Sequence, residues 1–118
     1  MVVRKDLPEC PVATAVGVIG NKWKLLILRN LLTGPQRFTD LLNGIDGISK
    51  KVLTENLRSL EEDGIVNRKT YAEEIPVKVE YSLSEIGETL KPIFDVLTDW
   101  GNNYKKFVKN VSEKEKGA

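Results

Sequence analysis

Residues 38–83 read FTDLLNGIDGISKKVLTENLRSLEEDGIVNRKTYAEEIPVKVEYSL, and their apolar period changes once, from about 3.6 to 2. Phe38, Leu41, Leu42 and Ile45 form one helical stripe. Gly44 and Gly47 then bracket a tight turn. Ser49 suits the N-cap of the next helix, because its hydroxyl accepts a bond from an amide that the first turn leaves unpaired. In that helix Leu53, Leu57 and Leu60 share one face, Lys51, Glu55 and Arg58 the opposite one, with Thr54 beside them. Asp63-Gly64 closes it. Val77, Val79, Tyr81 and Leu83 next alternate with Lys78, Glu80 and Ser82, the pattern of a half-buried strand. Ile65–Tyr71 is its expected antiparallel partner, and 72–76 the tip between them.

Helix, turn, basic helix and two strands in that order make a winged helix-turn-helix, in which the second helix is the one that enters a DNA major groove. Upstream, Val12, Val16 and Ile19 predict a short amphipathic helix from Pro11, ended by Gly20-Asn21. Lys22–Leu32 is apolar on most sides and belongs in the middle of the domain; Thr33-Gly34-Pro35 ends it. Downstream, Ser84 caps a helix carrying Glu85, and Pro92 should kink it or start another near Lys91. Ile93, Leu97, Trp100, Tyr104, Phe107 and Val111 then recur every three or four residues. The expected class is α+β, mostly α, with a two-stranded wing and flanking N- and C-terminal dimerisation helices. The expected divisions are a flexible arm at 1–9, a domain at 10–108 (37–83 the helix-turn-helix and wing, 84–108 the dimerisation helices), and a frayed tail at 109–118.

The chain has 118 residues, room for one real core, and a formal net charge of +1, so any positive field must be local. It contains no histidine, which removes the commonest general base and metal ligand together. A lone cysteine, Cys10, makes neither an internal disulfide nor a cysteine-rich zinc site. We expect no catalytic site, no metal and no cofactor. No stretch suggests a signal peptide or a membrane span, so the default is a soluble cytoplasmic protein.

Four features are weighed against duller explanations. Lys51, Thr54 and Glu55 would face base edges, with Ser49, Lys50 and Arg58 near the helix start and the phosphates. Lys-x-x-x-Glu is also an ordinary solvated face with helix-stabilising charge pairs; its place after a helix and turn and before two strands favours the DNA reading. Arg68, Lys69 and Lys78 of the wing would reach phosphates, Lys78 ranking above Lys69, although Glu73 and Glu74 make the tip partly acidic and strand edges carry charge against aggregation anyway. Val12, Val16, Ile93, Leu97, Trp100, Tyr104 and Phe107 are the expected dimer seam, the alternative being docking onto the chain's own core. Cys10, at a helix start where amides lower a thiol's pKa, is a redox-sensing candidate; most free cysteines are small buried apolar residues instead.

With these residues in view the chain resembles the HxlR-type winged helix-turn-helix regulators, relatives of the MarR group. The matching pieces are Cys10-Pro11-Val12, IGNKWKLLIL at 19–28, Phe38-Thr39-Asp40-Leu41 and ISKKVLT at 48–54. LRSLEEDGIV at 57–66, Arg68, VEYSLS at 79–84, Gly87, Leu90 and Trp100-Gly101 complete them, covering about residues 10–104. The resemblance implies a homodimer built by the terminal helices, with recognition helices in successive major grooves of a two-fold symmetric operator in double-stranded DNA. It also implies that several members are switched at the cysteine matching Cys10. Asn21 stands where a second glycine is usual, and its tolerance of the left-handed conformation would preserve that turn. Val77 replaces a common second proline after Pro76, which would loosen the wing.

The leading expectation is a dimeric, sequence-specific transcription regulator, with a small-molecule effector as a further candidate partner and no membrane. A winged-helix module that binds protein without DNA is the alternative, and a Cys10 hydrolase, which would need an unusual base, ranks last.

Overall fold

The computed structural model describes residues 6–117. Two units divide it, one running to Glu88 and the other starting at Thr89.

In the first unit, α1 (Pro11–Ile19) carries proline in its first turn, where a missing amide costs nothing. α2 (Lys22–Leu31) follows. Asn21 between them is extended (φ −119°), and no described non-glycine residue has positive φ. Its tolerance of the left-handed region is therefore irrelevant. Asn21 instead caps α2, its side-chain oxygen accepting the Lys24 amide at 2.7 Å. β1 (Gln36–Arg37) leads into α3 (Phe38–Gly44), whose first turn is closed by the Arg37 amide donating to Asp40 at 3.0 Å. The turn to α4 (Lys50–Glu62) passes through Gly47 at φ +80°, a conformation costly for any residue with a Cβ. Ser49 caps α4 as expected, accepting from the Val52 amide at 3.2 Å.

β2 (Val66–Tyr71) and β3 (Lys78–Leu83) pair antiparallel as the wing. The sheet has three strands in the order β1-β3-β2, where two were expected. β1 is two residues long, too short to show alternation, and exists through its pairing with β3. α5 (Glu85–Glu88) starts at Ser84, whose hydroxyl accepts the Gly87 amide at 3.1 Å. At Gly87 the backbone passes so close to the Ile65 carbonyl that a Cβ would overlap it.

The core is the interior of this unit. Ile27, Leu28 and Leu31 of α2 meet Leu41 and Ile45 around α3, Leu53, Leu57 and Leu60 of α4, and Val66 of β2, all at most 2% exposed. This apolar burial positions α4: three leucines on one face anchor it and leave the opposite face outward.

The second unit is α6 (Lys91–Gly117), a continuous helix of 27 residues. Pro92 lies in its first turn, so it starts a helix rather than kinking one. The frayed tail expected at 109–118 is corrected over 109–117, which are helical. That segment has no proline, consists largely of good helix formers, and ends with Lys114 and Lys116, which suit the negative end of the helix dipole. Residues 1–5 of the expected arm lie outside the described residues; 6–10 are irregular and exposed.

Candidate nucleic-acid interface

Helical geometry makes one face of α4 entirely polar. Lys50, Lys51, Glu55 and Arg58 are exposed on it, with Ser49 at its start. Among the described residues none of these side chains is in an ion pair. Among the described residues Lys51 and Glu55 do not pair, so the face presents its cations and the carboxylates of Glu55 and Glu62 individually to solvent. Thr54 differs. It is half-buried, its hydroxyl donates to the Lys50 carbonyl at 2.8 Å, and it lines a small cavity of about 200 Å³ with Leu57, Arg58, Glu61, Arg68 and Tyr81. Thr54 therefore sits where α4 meets the wing, at the border of the exposed face.

The wing register sorts the remaining charges. Arg68 lies opposite Tyr81, Lys69 opposite Glu80, and Tyr71 opposite Lys78. Paired residues share a face of the sheet and successive residues alternate, so Arg68 and Tyr81 look toward α4 and the other four look away. On the inner face Arg68 Nε lies 3.4 Å from Glu61 Oε2 of α4, tying the wing to the recognition helix. Both partners are about half exposed, so the pair adds little stability. Burial in this corner pushes the Tyr81 hydroxyl above its ordinary pKa; the Arg68 guanidinium opposes that shift, Glu61 adds to it, and Arg58 opposes it. On the outer face Lys78 Nζ lies 3.4 Å from Glu80 Oε2. Arg68 and Lys78 are thus both held by carboxylates.

Arg37 was not singled out from the sequence. It is exposed at the start of α3, pairs with Glu80 in register, and lines an open groove of about 550 Å³ with Phe38, Thr39, Lys78 and the wing-tip residues 74–77. The signal available was slight: a basic residue just before the first helix of the pair. At the tip Ile75 is fully exposed and Glu73 and Glu74 project into solvent.

Cys10 occupies the N-cap position of α1 and is exposed in the single chain. Val12 and Val16 are exposed on α1. On α6, Ile93, Leu97, Trp100, Tyr104 and Phe107 are also exposed, with Trp100 stacked on Tyr104 at 5.3 Å and Tyr104 tilted against Phe107 at 5.9 Å. Among the described residues no cluster of side chains is arranged to hold a metal, and no helix is long and apolar enough to cross a membrane.

Comparison with known proteins agrees with this architecture. The HxlR-like helix-turn-helix family pattern matches residues 18–109. The chain is 43% identical over 100 residues to YdeP of Bacillus subtilis, named an uncharacterized HTH-type transcriptional regulator, covering 85% of this chain and 77% of that one. It is 37% identical over 108 residues to the HTH-type transcriptional regulator YodB of the same organism, covering 91% and 96%. Among solved structures, the redox regulator HypR in its reduced form superposes with a TM-score of 0.79 at 39% identity, covering 86% and 99%.

Proposed function

This chain belongs to the HxlR-like helix-turn-helix family, and we propose that it acts as a homodimer whose two α4 helices enter successive major grooves of a two-fold symmetric operator. It is a DNA-binding transcriptional regulator. The observation that carries the finer reading is the exposed face of α4, where Lys50, Lys51 and Arg58 stand without ion-pair partners among the described residues on a helix anchored by three buried leucines. Lys51 and Glu55 are its base-reading residues, Thr54 borders them, and Ser49, Lys50 and Arg58 approach phosphates. The wing, with Arg68 braced against Glu61, follows the backbone beside the groove.

The dimer reading rests on the exposed apolar residues of α1 and α6. Along α6 the spacing 93, 97, 100, 104, 107 averages half of a heptad, the repeat of a helix seam. A switch at Cys10 is proposed on two grounds: the thiol is exposed at a helix start, and the similar protein HypR is described as a redox regulator solved in reduced and oxidized forms. A small aromatic or electrophilic compound is the candidate effector, and the cytoplasm the expected site of action.

The test is selection of sites from a random duplex pool, then titration of the selected duplex at two salt concentrations. Enrichment of a two-fold symmetric site with a steep salt slope is the expected result. The second reading, a protein-binding winged helix, is favoured by the near-neutral net charge and the acidic tip at Glu73 and Glu74. It gains if no site is enriched and binding stays weak.

A further inference from the structure

Four side chains make a closed set on the outer face of the wing. Tyr71 lies opposite Lys78 and Lys69 opposite Glu80, in successive positions on the same face, with Thr70 and Val79 paired between them. The Lys78 ammonium is 4.7 Å from the centre of the Tyr71 ring, and the Lys69 ammonium is 4.8 Å from the same ring. Both distances suit attraction of a cation to the negative face of an aromatic ring.

Glu80 decides how the two lysines differ. One of its oxygens accepts from the Tyr71 hydroxyl at 3.3 Å and the other faces Lys78 at 3.4 Å. Its charge is thereby committed. Lys78 is also mostly covered, its side chain 20% exposed. Lys69 is exposed, and among the described residues it has no carboxylate partner although Glu80 is its neighbour across the strands. Its ammonium rests on the ring alone. Two ammonium groups drawn to one ring with one carboxylate between them leave an uncompensated positive charge at the wing surface. An arriving phosphate oxygen supplies the missing acceptor and the missing charge. The ring meanwhile restrains a long side chain that would otherwise lose much rotamer freedom on binding.

We propose that Lys69, rather than Lys78, is the wing cation that meets a DNA backbone phosphate, and that Tyr71 is its positioning residue. The proposal rests on the DNA-binding reading above. It reverses the order expected from the sequence, where Lys78 stood first.

The test uses the full chain and a fluorescently labelled mixed-sequence duplex long enough for two half-sites. Binding is titrated over a range of salt concentrations, and the slope of log affinity against log salt is compared among variants that melt like the wild type. Lys69→Ala is expected to reduce that slope by about one. Lys78→Ala combined with Glu80→Gln, which leaves no unpaired carboxylate beside the DNA, should change it by well under half as much. Tyr71→Leu should lower affinity and Tyr71→Phe should restore it. In a Lys69→Ala background Tyr71→Leu should have no further effect, a result that a merely structural role for the ring would not give. A normal slope for Lys69→Ala with a reduced one for the Lys78 variant overturns the proposal. So does an undiminished effect of Tyr71→Leu in the Lys69→Ala background. Wild-type protein showing no salt-dependent binding removes the DNA reading itself, and this inference with it; no other outcome touches both.

Discussion

Asn21 donates from Nδ2 to Oδ1 of Asn56 at 3.1 Å, joining the turn between α1 and α2 to the middle of the recognition helix. The same Asn21 side chain caps α2 through its oxygen, and Asn56 donates to the Val52 carbonyl at 2.7 Å. Asn21→Ala loses both cap and tie and should cost about 1–2 kcal/mol. Asn56→Ala, which spares the cap, loses the exposed tie and the part-buried bond to Val52 and should cost about 0.5–1 kcal/mol. Urea denaturation measures both. Equal losses would show that the cap is not the larger contribution.

Lys51 stands exposed and without an ion-pair partner among the described residues on the outward face of α4. Lys51→Ala should cost about 1–3 kcal/mol of binding to the selected site and relax preference at one base position in each half-site. Repeating the site selection with the variant reads this directly. Unchanged selection would remove Lys51 from the base contacts.

Leu97 and Trp100 lie one turn apart on the exposed seam of α6. Leu97→Glu combined with Trp100→Glu should place two charges in the proposed interface and shift the protein from dimer to monomer. Sedimentation at micromolar concentration distinguishes the two states. A variant that stays dimeric would exclude this seam.

Cys10 is exposed at the start of α1. Diamide treatment of the wild type should change affinity for the selected duplex, and Cys10→Ser should be indifferent to it. Reductant should reverse the change. An equal response from the serine variant would remove Cys10 from any switch.

Tyr81 makes stability depend on alkaline pH. Burial raises its hydroxyl above the ordinary 10.0, so folding favours the neutral form. This contribution is fully present below the unfolded value and disappears as pH rises through the folded one. The wild type should therefore lose stability above about pH 10 more steeply than Tyr81→Phe, as followed by thermal melts across that range. Parallel curves would mean that the corner stays solvated.

Most helices and the wing pair were legible because their signals are local. Ser49 caps α4 and Ser84 caps α5, Gly47 turns the chain, and the change of period at the wing marks the strands. What the sequence missed has three different causes. β1 has no pattern of its own and is created by pairing of Gln36 with Tyr81. Asn21 stands where glycine is usual, yet its backbone is extended and lets the side chain cap α2. The apolar recurrence stops at Val111, so nothing announces the helix beyond it, although its propensities permit it.

By itself the sequence determined where α1 to α4 and the two wing strands lie and which face of α4 is polar, since periodicity, caps and turn residues act over a few neighbouring positions. Only the tertiary structure decided which cations on the wing are already neutralised. Arg68 meets Glu61 from another element, Lys78 meets Glu80 on its own strand, and Lys69 shares the Tyr71 ring with Lys78 from across the turn. Charge pairing falls off within a few ångströms, and such distances are set by register and packing, which bring together residues that are not neighbours in the chain.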